Sequence, residues 1–500
     1  MKRILLGLLL SSASGGLLAT EACKIFKIRQ EDIPFVTPEP GKYLLCEDIT
    51  WEGTGPAITV NQDRVELCLF AHSIRLTDPS ATGILVHNPT RRICEININN
   101  DAIINESPAT QAGNGIHVDN ACKVRIHNIF TINHINGLLI ENSSDVIVES
   151  CNFSRATRTG TFVDSSDSVV FQRTTFSDNF LGLFLSDAKD SHVSTCSFPN
   201  SEVVNVFLQD SRGVHFKECS FSPTAAAGGT LIFAARAQDT LIEGSTFRSG
   251  PNESGSLFWT GSGLTVDSCL FDLSTNNPGP FVHILIDVPG NGLITRSIFQ
   301  GRGVLAADEL RSGIVVLGSG TIIQDCLAEG LDIGIGVLGT GNTVRTSTAR
   351  ANRFAGILVQ GSSNAVINST SCMNGQDGIS VLGFEDAPTT LHTLSGNILS
   401  QNNLDGLFAL FATSCTISDN EALGNSENGI ELAASSTNNN IQYNRVHSNT
   451  LVGITDGGAA GNNEYFYNTS HSNTGLEYSA NIPTQQAPGV PTKEAPNITA

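Results

Sequence analysis

The densest group of ionisable side chains in this sequence lies in RGVLAADELR, which carries Arg302, Asp308, Glu309 and Arg311, with His283 on the segment before it. Carboxylates set beside an arginine or an imidazole on one open face are what proton transfer at a glycosidic linkage requires. Such chemistry would set this loop against His117 or His283. Solvated loop charge is the simpler account of the same residues. The group is therefore a catalytic candidate only if the fold opens it onto a ligand face.

Aspartates recur at fixed places. Asp145, Asp167, Asp190 and Asp239 each precede an apolar alternation, while Asp119, Asp164, Asp187 and Asp210 each follow one. Stacked carboxylates suit Ca²⁺, a hard cation that takes about six to eight oxygens, and turn capping by short acidic side chains explains them as well. No other cofactor is implied. The 12 cysteines contain no CxxC pair, so a zinc site is not indicated. Cys151, Cys196, Cys219, Cys269 and Cys326 fall in one column with Thr174, Ser245 and Ser297, which reads as small thiols filling an interior rather than as a disulfide framework.

What positions these residues is a repeat. GLLIENSSDVIVESCNF, GTFVDSSDSVVFQRTTF, GLFLSDAKDSHVSTCSF and NVFLQDSRGVHFKECSF start at Gly137, Gly160, Gly182 and Asn205, 22 or 23 residues apart. A fixed period in this range signals a solenoid. Each copy holds three short alternations, as in Leu138/Ile140, Val146/Val148 and Cys151/Phe153, and period-two alternation marks half-buried strands. Four or five polar residues between strands cannot hold a crossover helix, so each copy must pair with the next one. Inward columns follow: Val148, Phe171, Val193 and Phe216 in the middle strand, and Phe153, Phe176, Phe198, Phe221, Phe247, Phe271 and Phe299 in the third. Past Phe299 that column reads Ala328, Ala349 and Cys372.

The Gly-Ile-x-Val strand after an asparagine lead-in, followed by a Val-x-Ile-x-Asn-Cys-like segment, resembles the right-handed parallel β-helix repeat of the pectate-lyase-like superfamily, over about residues 57 to 475. That resemblance implies an all-β fold, a single right-handed parallel β-helix of about sixteen rungs, each advancing about 4.8 Å. It implies no single activity, because lyases, hydrolases, epimerases and adhesins share the fold. The Asp-Asp, Gly-His-Gly and Arg-Ile-Lys strings of its polygalacturonase-like hydrolases do not occur in this chain.

The remaining segments flank the coil. Residues 1–22, with Lys2-Arg3 and an apolar run from Ile4 to Leu10, read as an export signal, and Cys23 is a conceivable but poorly framed lipidation site. Residues 23–56, rich in proline, read as an N-terminal cap, 57–477 as the β-helix and 478–500 as a disordered, proline-rich tail. Three long intervals, Asn97 to Gly113, Gly301 to Ser312 and Gly383 to His392, read as loops bordering one outer face. In the second half Asn352, Asn374, Asn402, Asn425 and Asn449 form one column and Asn397, Asn420 and Asn444 another, as side-chain amide ladders would. A net charge of −20 with no basic cluster excludes a nucleic-acid partner, and no segment reads as a transmembrane span.

One column breaks the polar-outside rule. The outward position of the glycine-led strand reads His117, Leu139, Phe162, Phe184 and Phe207, continuing through Leu231 and Phe258 to Val315 and Leu358. A contiguous apolar stripe on a coil surface marks a contact face. The chain accordingly reads as a secreted, periplasmic or cell-surface binding platform for an extended glycan or a protein partner, self-association included. A polysaccharide lyase, hydrolase or epimerase with an atypical site is the second reading.

Overall fold

The computed structural model describes residues 24–479 and 482, apart from 107–112, 226–227, 251–252, 274–279, 288–289, 302–309, 434 and 458–461. The export signal, Cys23 and most of the C-terminal tail lie outside the described residues. Short strands pair in parallel with their counterparts one repeat away, and together they wind a solenoid of about 17 turns. Each turn has a first, a middle and a third strand, as in Asn136–Glu141, Ser144–Glu149 and Asn152–Ser154. The middle and third strands meet at one residue in the left-handed region, including Ser150, Arg173, Thr195 and Glu218. Glycine, asparagine and aspartate adopt this conformation at least cost, and longer side chains such as Arg173 and Glu218 also take it here. Two segments, Ile93–Asn105 and Ala121–Ile132, run through the bend unbroken.

The interior follows the predicted columns. All seven phenylalanines from Phe153 to Phe299 are fully buried, with neighbouring ring centroids 4.4–5.8 Å apart. Each stacked pair adds about 0.5–1.5 kcal/mol beyond area burial. The turns approach so closely that a Cβ on Gly160 would stand 2.6 Å from the Gly182 carbonyl, which is why the anchor position favours glycine. Beyond Phe299 the column continues through Ala328, Ala349, Ser371, Leu399 and Ala422. Ser371 rather than Cys372 occupies it, because Cys372 is the outward neighbour, one residue on.

Asparagines fill part of the space the rings leave. Asn352 Nδ2 donates to Asn374 Oδ1 at 3.0 Å, and the relay runs through Asn402, Asn425 and Asn449 to Asn473. The second column does the same from Asn397 through Asn420 and Asn444 to Asn468. Each amide thereby satisfies its own donor and acceptor inside the coil, which a buried amide must do.

Three readings change. Within the stretch read as a cap, Ile25–Ile28 pairs in parallel with Gly41–Leu45, and Gly41–Leu45 and Ile49–Trp51 pair with Val65–Cys68 and Ile74–Leu76, so it already winds turns of the coil. At the other end Tyr478 bridges to Ile454, and its hydroxyl donates to the Asn468 carbonyl at 2.9 Å, extending the ordered coil past residue 477. Cys94 and Cys122 form a disulfide between facing positions of adjacent turns. The five-cysteine column is free and buried as expected.

Candidate functional site

Pairing register assembles the outer face of the first-strand sheet. Phe162, Phe184, Phe207, Phe233 and Phe258 face one another across five consecutive strands, each partly exposed. Phe233 holds the place expected for Leu231, which is fully buried. Extra residues before that strand lengthen these turns, so Leu231, Ser256 and His283 continue the column of Gly182 and Asn205 on to Gly313. Ring centroids lie 4.8 Å apart for Phe162 and Phe184 and 4.7 Å for Phe184 and Phe207, both stacked. Phe207 and Phe233 then meet edge-on at 5.4 Å, and Phe233 stacks on Phe258 at 5.2 Å. The Arg158 guanidinium covers the Phe162 ring at 5.6 Å. The stripe continues through Leu285 and Val315 to Gly336 and Leu358.

Toward the N-terminus the same face becomes ionisable. Leu139, only 9% exposed, separates Phe162 from His117. His117 Nε2 is 2.8 Å from Glu141 Oε2 on the next turn, and His87 Nδ1 is 3.0 Å from Asp119 Oδ2. Asn142 Nδ2 donates to Asp119 Oδ1 at 3.2 Å, and Asp164 follows Glu141 in register. These imidazole and carboxylate side chains are about a quarter to a third exposed, open enough to meet a ligand. An imidazole paired with a carboxylate through one nitrogen can exchange a proton through the other. One turn here is 22 residues, so Glu141 stands one turn on and two residues along the strand from His117, a spacing the repeat makes legible; the 32-residue interval between His87 and Asp119 hid the second pair.

The other candidates separate. Arg302, Asp308 and Glu309 lie outside the described residues. His283 is fully buried among the rings of Phe271, Phe281 and Phe299. Its Nε2 donates to the Gln300 carbonyl and its Nδ1 accepts from Ser256 Oγ, both at 3.2 Å. Burial pulls its pKa down to about 3, which makes it a neutral core imidazole out of reach of a solvent-borne ligand. Arg311 is 2% exposed at the start of its strand, its N–H donating to Asp332 Oδ2 at 2.7 Å. Asp332 also pairs with Arg353 at 2.8 Å. The turn aspartates Asp145, Asp187, Asp190, Asp210 and Asp239 take positive φ, and Asp210 and Asp239 pair with Arg236 and Arg212.

Two family models match: the right-handed β-helix region over residues 333–483, and the periplasmic copper-binding protein NosD over 93–267. Each covers about a third of a chain that folds throughout as a right-handed parallel β-helix. Among solved structures this β-helix protein is similar to the DFA-IIIase of Arthrobacter chlorophenolicus, at 10% identity over 57% of this chain and 83% of that one, TM-score 0.46. It is also similar to the catalytic unit of a GH87 alpha-1,3-glucanase from Streptomyces thermodiastaticus, at 13% identity over 73% and 63%, TM-score 0.39. The Dettilon tailspike protein matches at 15% identity over 57% and 54%, TM-score 0.36. These likenesses concern the fold alone. No curated protein matches the sequence. Copper belongs to the name of the NosD family; among the described residues of this β-helix no group of three or more His, Cys, Asp or Glu is placed to hold a metal ion. No helix among the described residues is long and apolar enough to cross a membrane.

Proposed function

We propose that this protein is an exported β-helix that acts as a binding platform, holding an extended glycan or protein partner along the outer face of its first-strand sheet. The observation that carries this reading is the run of five partly exposed phenylalanines on consecutive turns, an apolar strip about 20 Å long at the rung spacing. Because most of the rings stack on one another, their faces are taken and their edges point outward. Phenylalanine edges offer a partner apolar contact but no hydrogen-bonding group for a sugar hydroxyl, which favours a protein chain or a second copy over a glycan. Size-exclusion chromatography with light scattering, and pull-down of surface or matrix components from the source, test the reading with wild type and Phe184→Asp. Loss of an oligomer or of a captured component in the variant is expected. Wild type that is monomeric and captures nothing would end the proposal.

The two histidine–carboxylate pairs on the same face favour a second reading, a polysaccharide lyase, hydrolase or epimerase in which His117 and His87 move protons. Assays on acidic and neutral polysaccharides for unsaturated products, new reducing ends and epimerised residues decide it. Turnover lost in His117→Ala but kept in Phe184→Asp would make the enzyme reading primary.

A further inference from the structure

A different outer surface, at the C-terminal end of the coil, repeats a seven-residue pattern in consecutive turns. Residues 443–449 read YNRVHSN and residues 467–473 read YNTSHSN. The asparagines are explained, since Asn444, Asn468, Asn449 and Asn473 are members of the amide ladders. The tyrosines and histidines are not used by the interior. Tyr443 and Tyr467 stack at 5.0 Å with their planes 8° apart, and His447 and His471 stack at 5.0 Å with planes 1° apart. Each histidine Nδ1 is 3.3 Å from the hydroxyl of the following serine. His447 Nε2 reaches Glu421 at 3.2 Å, beside Arg445.

The tyrosines are costly where they stand. Both occupy the single-residue bend with positive φ, 56° and 52°, a conformation that disfavours a bulky aromatic. The three preceding turns place Asn368, Gly396 and Asp419 there, while earlier turns carry Thr346, Arg296 and Glu218, so the bend also admits longer side chains. The rings also gain little burial in return, being 53% and 42% exposed. Of the five tyrosines in the chain these are the two that stand open, while Tyr43 and Tyr465 are buried.

We infer that this ridge is a second binding site, independent of the phenylalanine stripe, and that its ligand is a neutral glycan chain. Stacked tyrosines present an apolar edge and a hydroxyl at each turn, and the histidine row adds polar ring nitrogens about 13 Å away at most by strand rise. Alternating apolar and hydroxyl contacts at a rung spacing of about 4.8 Å suit a chain of sugar rings laid along the axis. A polyanion is disfavoured by a net charge of −20 and by Glu421 and Glu464 on this surface.

The experiment is affinity gel electrophoresis of the full chain in gels containing β-glucan, xylan or mannan, with polygalacturonate as the acidic arm. Wild type, Phe184→Asp, and the double variant Tyr443→Gly/Tyr467→Gly are compared. Glycine removes the rings while fitting the positive-φ bend, so the double variant is expected to melt within a few degrees of wild type. Retardation of wild type and Phe184→Asp in at least one neutral gel, lost in the double glycine variant, is the expected result. Three results would overturn it: no retardation in any neutral gel, retardation unchanged by the double variant, or retardation by polygalacturonate alone. A fall of many degrees in the melting point of the double variant would also overturn it, by making the tyrosines a structural brace.

Discussion

Phe176 and Phe184 lie on successive first and third strands eight residues apart, yet the Phe176 ring is sealed between Phe153 and Phe198 while the Phe184 ring stacks on Phe162 and Phe207 at the outer surface. The same residue type thus serves two ladders. Phe176→Asp buries an unpaired charge and is expected to unfold the surrounding turns, whereas Phe184→Asp keeps its charge in contact with water and shifts the melting temperature by only a few degrees. Circular dichroism melts of the two variants check this. Equal destabilisation would mean that both ladders are core.

The amide relay is expected to be as critical as the rings. Asn402 is fully buried, donates to Asn425 Oδ1 and the Ser371 carbonyl, and accepts from the amide and backbone N–H of Asn374. Asn402→Leu leaves these partners unsatisfied, at about 1–3 kcal/mol for each buried group. Urea unfolding should show a clear drop in midpoint, larger than for replacement of an exposed asparagine.

These ladders also show how far the sequence could be read. The columns were legible because alternation and a period of 22 or 23 residues fix which side chains share an interior position. Where extra residues enter before a strand, counting from the nearest glycine fails, as at Leu231 and His283, because register is set by hydrogen bonding to the neighbouring turn and not by residue type. The phenylalanine stripe was visible for the same reason as the core. The His87–Asp119 pair was not, because its partners are joined across an irregular interval.

Thiol chemistry should separate the cysteines. Burial pushes the thiols of Cys151, Cys269 and Cys326 up to about 12 and that of Cys219 to about 11, so the reactive thiolate is scarce at neutral pH and sterically sealed. Iodoacetamide on the native protein is expected to label exposed Cys46 and to spare this column until the coil is unfolded, as mass spectrometry would show. Reduction of Cys94–Cys122 should lower the stability read from urea unfolding by about 2–4 kcal/mol, the turns it joins unfolding with the rest.

Asp405 should contribute stability at acidic pH that is lost near neutrality. Asp405 is 3% exposed, and burial, reinforced by Glu431 and Asp377, raises its pKa to about 7 despite the N–H that Asn428 donates to it at 2.8 Å. Asp377 and Glu431 are raised too, chiefly by burial. A carboxyl whose folded pKa lies above its unfolded value contributes stability that is complete below about 4 and is lost as pH rises through about 7. Paired melts from pH 5 to pH 8 check this: Asp405→Asn, which keeps the acceptor for Asn428, is expected to gain on wild type as pH rises, while the imidazoles of His134, His283 and His392, held low by burial, act with the opposite sign in both proteins.

The asparagine relay has a consequence for length. Asn402 and Asn425 make the same bonds to the turn below and the turn above, so interior positions of the relay are equivalent. A whole turn can then be copied or excised between two asparagines, and the cut ends meet as matching partners with no buried amide left over. The first half is less interchangeable where rings are turned against one another, as Phe153 and Phe171 are against Phe176 at 31° and 69°. The C-terminal half is thus the part of this molecule whose reach can be reset by duplication, one unit at a time, without redesigning the interior.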